Sequence, residues 1–117
     1  MNVRLVRFGS VEVDGVEFAH DVVIDRGSVR KRKKGPSKPY RADFGHTPLS
    51  AAEDLPWGGR RLIIGTGAYG SLPIAPDVVA EADRRGVYLD AMPTAEACRL
   101  ISTLDGREVH AVLHATC

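Results

Sequence analysis

Arg61-Leu62-Ile63-Ile64-Gly65-Thr66-Gly67-Ala68-Tyr69-Gly70 is the stretch on which the fold of this chain turns. A β-branched apolar run that ends in glycines reads as a buried strand followed by a tight turn. Downstream, Pro76 to Arg85 reads as a helix and Val87 to Asp90 as a short strand. Thr94 then caps a helix that runs to Leu104, and Val109 to His114 forms a last strand. Strand and helix in strict turn predict parallel pairing, with helices packed on the sheet faces.

Upstream of Arg61 the pattern changes. Val11 and Val13 precede Asp14-Gly15, and Val16, Phe18 and Val22 to Ile24 follow it. Asp-Gly between short apolar runs is a hairpin signal, so residues 3–30 are expected to form a β-meander with its second turn near Arg26-Gly27. Arg30 to Arg41 is basic and holds Gly35, Pro36 and Pro39, which block a continued helix or a central strand; an exposed loop is expected there. Thr47-Pro48 suits an N-cap with Pro at the first helical position, predicting a short helix that Pro56 stops.

Composition allows a folded core. The chain has 117 residues, 44% apolar and 26% charged, near the globular average and far from the disordered range. A chain of this size buries roughly two thirds of its unfolded surface, and a single domain over 1–117 is expected. Cys98 and Cys117 are too few for a disulfide framework. Arg4 and Arg7 interrupt the apolar N-terminal stretch, and no apolar run is long enough for a membrane span. The expected compartment is the cytoplasm. Residues 26–41 hold eight of the sixteen Lys and Arg and no acid, which leaves the remainder of the chain at a net −7. That segregation bears on partners more than the overall +1 does.

Several pieces of this pattern occur together in one family. Leu62-Ile63-Ile64-Gly65-Thr66-Gly67, Thr94 to Ala97, Gly106-Arg107 and His114-Ala115-Thr116-Cys117 carry the likeness, joined by Phe8-Gly9-Ser10, the Asp14-Gly15 turn and Asp21-Val22-Val23-Ile24. The chain resembles the Mth938-like family, which includes the adipogenesis-associated Mth-type protein and a mitochondrial respiratory complex I assembly factor. The resemblance implies an α/β fold in three layers: a central mixed sheet, helices on both faces and an added N-terminal β-meander layer. It implies no enzyme activity, since members are known mainly as assembly or regulatory proteins. One departure is Ile101-Ser102, where relatives often carry Tyr-Asn.

Gly65-Thr66-Gly67-Ala68-Tyr69-Gly70 matches G-x-G-x-x-G after a strand, with Asp90 at the distance a dinucleotide site uses. That site needs the last glycine to open a helix, and Pro73 and Pro76 push any helix past the loop. A tight turn is the better reading, and no cofactor is expected. A glycine turn at a strand tip can still present N–H groups to a small anion or carboxylate. Gly65, Thr66, Gly67, Tyr69, Gly70 and Ser71 are the candidate ligand-binding residues.

Arg30-Lys31-Arg32-Lys33-Lys34 is the candidate partner-binding run. No aromatic residue is interleaved to stack bases, so an acidic protein surface is the favoured partner over nucleic acid. His110 and His114 share strand parity but lie ~13 Å apart at ~3.3 Å per residue, too far for one ion, and no metal site is expected. Cys117 beside His114 lacks an orienting third group, so no catalytic residue is assigned. Cys98, Leu100, Ile101 and Leu104 form a core stripe, while Trp57 reads equally as an exposed anchor or as a lid. The favoured role is a non-enzymatic binding or assembly module. The alternative is a small-molecule binder or enzyme that grips an anion at Gly65 to Gly70, with His46 or His114 moving a proton.

Overall fold

The computed structural model describes every residue, Met1–Cys117. Eight strands form two sheets: β1 (Val3–Arg7), β2 (Ser10–Val13) and β3 (Val16–Phe18) make an antiparallel meander, and the central sheet has five strands. The central strands are β4 (Val22–Asp25), β5 (Ser28–Lys31), β6 (Arg61–Gly65), β7 (Tyr88–Met92) and β8 (His110–Leu113), in the order β5-β4-β8-β6-β7. β6 runs parallel to both β7 and β8, whereas β4 is antiparallel to β8 and β5. The sheet is therefore mixed, with its parallel part built by two crossovers through α2 (Pro76–Arg85) and α3 (Thr94–Ile101).

Period-two alternation decides which face each residue covers. Val22, Ile24, Ile63, Ala111 and Leu113 point to one face, where Ala97, Cys98 and Ile101 of α3 and Val3, Val11 and Val13 of the meander complete the core. Val23, Leu62, Ile64 and Val112 point to the other, against Val78 of α2 and Leu49, Leu55 and Leu72 from the connections. Helices thus lie on both faces, with the meander as an added layer beside α3. Trp57 is a lid: half-buried, it packs on the second core with the Arg85 guanidinium 5.4 Å from its ring centroid.

Two expectations shift. The meander layer stops at Phe18, because the hairpin closed by Arg26 (φ +51°) and Gly27 (φ +83°) pairs with β8 and joins the central sheet. Its residues Val22 to Ile24 are apolar at consecutive positions and bury both faces, which suits a central strand and not a one-sided layer. The Asp14-Gly15 turn forms as expected, both residues having positive φ.

Helical turns also fall elsewhere. The expected loop at 30–41 instead begins as β5 and continues through a 3₁₀ helix at Gly35–Tyr40 into α1 (Arg41–Phe44). Pro36 is tolerated there because it occupies the first turn, where its missing N–H has no partner to lose. No helix forms after Thr47-Pro48. Leu49 is drawn into extended pairing, its N–H donating to the Pro73 carbonyl and its carbonyl accepting from Ala75. Tertiary hydrogen bonds there outweigh a local capping signal.

Candidate functional site

The glycine corner at the tip of β6 is closed by the chain itself. Gly65, Thr66 and Gly67 are buried. Every backbone N–H from Thr66 to Leu72 has an internal acceptor: Thr66 donates to Met92, Gly67 to the Thr94 hydroxyl, Ala68 to Thr116, Tyr69 and Ser71 to a Cys117 main-chain oxygen, Gly70 to Gly67 and Leu72 to Thr66. The groups that were to grip an anion are thus occupied, those of Ala68, Tyr69 and Ser71 by the tail at Thr116 and Cys117 and the others by the rest of the fold. Gly67 sits at φ +108° with the main chain of Cys117 packed where a Cβ would be. Only Tyr69, Gly70 and Ser71 of the six candidate residues reach the surface.

Beneath this tail lies a buried charged floor. Asp21, just before β4, accepts from His114 Nδ1 at 2.7 Å, from the Ala115 N–H at 2.8 Å and from Arg32 Nη1 at 2.9 Å. Burial alone would push this carboxyl up; the hydrogen bonds from His114, Ala115 and Arg32 outweigh burial and hold it at about 2. Arg32, 4% exposed, forks onto Glu53 with Nε and Nη2 each at 2.8 Å, and Nη2 also donates to the Pro48 carbonyl. Burial opposes its charge, but Glu53 and Asp21 raise its pKa above the ordinary guanidinium value. Ser37 donates to Glu53 at 2.6 Å and pairs with Ser50. His114 Nδ1 donates to Asp21, and the Thr116 hydroxyl lies 3.2 Å from Nε2 on the other side of the ring.

Asp21, His114 and Thr116 are connected in the order of a hydrolytic relay. A relay needs free donors for an oxyanion, and the neighbouring amides from Thr66 to Leu72 are all spent inside the fold. The geometry is that of a locked tail.

Above the floor is a cavity of about 210 Å³ between the 32–47 segment and the tail. Arg32, Lys34, Arg41, His46, Ser71 and His114 face it, and none of its eleven lining residues has an acidic side chain. Arg32 already makes four of its five possible N–H bonds, so the available charge comes from Lys34 and Arg41. The hydroxyls of Thr47, Ser71 and Thr116 add neutral donors. Such a lining suits an anionic group of modest size.

The basic run does not act as one block. Arg32 is withdrawn from the surface: one residue beyond β5, it keeps strand parity and its side chain turns inward onto Glu53 and Asp21. It is a core ion pair and not a docking residue. Arg30, half-buried, donates to the Asp54 carbonyl. Lys31, Lys33 and Lys34 remain exposed. Sequence reasoning singled out His46 and His114 but missed Asp21 and Glu53. Asp21 carried a faint signal as a lone acid before an apolar strand, and Glu53 carried none.

Fold and site together define a three-layer α/β domain with a basic cavity at the carboxyl ends of β6 and β8, closed on one side by its own tail. The family model described as "Protein of unknown function (DUF498/DUF598)" matches residues 3–114, and the chain belongs to this family of Mth938-like domains. It is similar to the conserved hypothetical protein PH1505 of Pyrococcus horikoshii OT3, at 31% identity over 100% of both chains with a TM-score of 0.77. It is also similar to MT938, at 26% identity over 99% of this chain and 98% of that one, with a TM-score of 0.71. A Mth938-like domain from Bordetella pertussis shares the fold at 23% identity over 97% of this chain and 85% of that one, with a TM-score of 0.60. No curated protein matches the chain. No helix is long and apolar enough to cross a membrane.

Proposed function

We propose that this protein is a non-enzymatic binding and assembly module that recognises an acidic segment of a partner protein, seating a carboxylate in the cavity over Arg32 and His114. The observation that carries this reading is a lining with Lys34, Arg41 and two imidazoles and no acidic side chain. Close by, Phe8 and Tyr69 pair with ring centroids 6.0 Å apart and are 55% and 78% exposed. An acidic segment with an apolar neighbour meets both features, the charge raising the association rate and the aromatic pair supplying buried area. Nucleic acid is the weaker partner, because Arg30 and Arg32 are engaged internally and few phosphates would be neutralised. Both cysteines are free, which suits a reducing compartment such as the cytoplasm.

The test is a titration with a glutamate-rich peptide followed by amide NMR. Shifts at Lys34, Arg41, Ser71 and Thr116 that vanish in Lys34→Glu/Arg41→Glu support the reading. Unperturbed signals at those positions at low salt overturn it. A second reading, a small carboxylate or phosphate as free ligand, is favoured by His46 and His114 lining one cavity. Mass spectrometry of the denatured protein distinguishes the two, since a co-purifying small acid supports the second.

A further inference from the structure

At the opposite end of the central sheet lies a larger cleft of about 580 Å³, within the range of small-ligand sites at roughly 300–1,000 Å³. Arg26, Arg60, Arg61, Arg107, Glu108 and His110 line it, around the amino ends of β6 and β8. Arg61 has Asp90 at 3.7 Å and Arg107 is bound to Asp105, but Arg26 and Arg60 have no acidic partner within ion-pair reach. Two unengaged guanidinium forks thus face one space.

His110 supplies the second observation. It is 4% exposed, yet its Nε2 has no hydrogen-bond partner, the nearest acid being Asp25 at 3.8 Å. Nδ1 lies 3.3 Å from the Glu108 carbonyl, which can only accept, so Nδ1 carries a proton and Nε2 is the ring nitrogen left without a partner. The ring is held by backbone: a Cβ on Gly59 would collide with His110 Nδ1, so position 59 can lie on the imidazole only as glycine. A buried polar atom left unsatisfied costs free energy, and a ligand in the cleft that His110 lines would supply its partner.

We propose that this cleft binds a phosphate monoester, whose oxygens accept from Arg26 and Arg60 while its remaining O–H donates to His110 Nε2. Guanidinium forks match phosphate oxygens. A singly protonated phosphate supplies acceptors and one donor together, whereas sulfate and ionised carboxylates supply acceptors alone. This site is separate from the cavity at the carboxyl ends and rests on different residues.

The experiment titrates inorganic phosphate and sulfate at about pH 7.5, where inorganic phosphate keeps a proton and an ordinary imidazole has lost its second one, with amide and imidazole ¹⁵N NMR. Phosphate is expected to shift Gly59, Arg60 and the His110 Nε2 signal, and to bind at least tenfold more tightly than sulfate. Arg26→Asn removes one fork while placing at φ +51° a residue that tolerates it, so folding is preserved. That variant and Arg60→Ala are each expected to weaken phosphate binding about tenfold, and Lys34→Glu/Arg41→Glu to leave it unchanged. Equal binding of sulfate, shifts confined to Ser71 and Thr116, or no shift at His110 with millimolar phosphate would each overturn the proposal.

Discussion

Glu53→Gln isolates what the buried ion pair does for the fold. The amide is nearly isosteric, so no cavity is made, and the carbonyl still accepts from Arg32 Nε. The lost partner is Oε2, which accepts from Arg32 Nη2 at 2.8 Å and from the Ser37 hydroxyl at 2.6 Å. Ser37 can turn its proton toward Ser50, 2.6 Å away, and accept from the new amide, so the serine pair absorbs the change. Nη2 instead faces an N–H, and one charge-assisted bond worth roughly 1.5–3 kcal/mol is lost. Fully stripping a buried charge of its partner costs about 3–5 kcal/mol; here Asp21 remains at 2.9 Å and limits the damage. The expected loss is about 3 kcal/mol, from a total stability of roughly 6–18 kcal/mol for a chain of this length. Urea unfolding at neutral pH, followed by circular dichroism and extrapolated linearly, measures it. A loss below about 1 kcal/mol would falsify the account of Glu53 as the principal counter-ion of Arg32.

Acid should weaken the fold through Asp21: its folded pKa of about 2 lies below the ordinary 3.8, so its stabilisation is complete above pH 4 and disappears between pH 4 and 2. The amount is about 2 kcal/mol, and Asp21→Asn is expected to flatten the urea midpoint over that interval. Gly67→Ala places a Cβ at φ +108° against the main chain of Cys117 and should cost about 3 kcal/mol or more, lowering the melting temperature and freeing the tail to proteolysis. Gly59→Ala drives a methyl into the His110 ring and should cost roughly 1–3 kcal/mol; calorimetry showing an unchanged melting temperature would mean that the loop does not rest on the imidazole. Cys98, its thiol pushed up to about 11 by burial, should resist iodoacetamide at neutral pH, while the exposed Cys117 is alkylated first under the same conditions.

What could be seen in the sequence followed from local period. Leu62 to Ile64 and Val22 to Ile24 are apolar at consecutive positions, which marks strands buried on both faces, and α2 and α3 carry helical spacing between turn residues. These features set the parallel half of the sheet and the glycine corner. The corner's use was hidden, because the partners of its amides are distant in sequence: Met92 and Thr94 for Thr66 and Gly67, Thr116 and Cys117 for Ala68, Tyr69 and Ser71. A glycine turn at a strand tip offers donors in any fold, and only the tail's position decides whether a ligand or the chain itself takes them.

The basic run shows the same physics at closer range. Read as charge alone, Arg30 to Lys34 is a solvated block. Read as a continuation of β5, it alternates: Arg32 keeps the parity of Arg30, whose register partner Val23 faces the second core, and so its guanidinium turns inward onto Asp21 and Glu53. A buried arginine is tolerable only with its donors matched to carboxylates, so Arg32 requires acids that no local pattern reveals. Once fixed, it orders the surface above it. It ties the β5 end to Pro48 and Glu53, and thereby places Lys34, Arg41 and His46 around one cavity. The residue that seemed most suited to meet a partner instead builds the frame on which its neighbours do so.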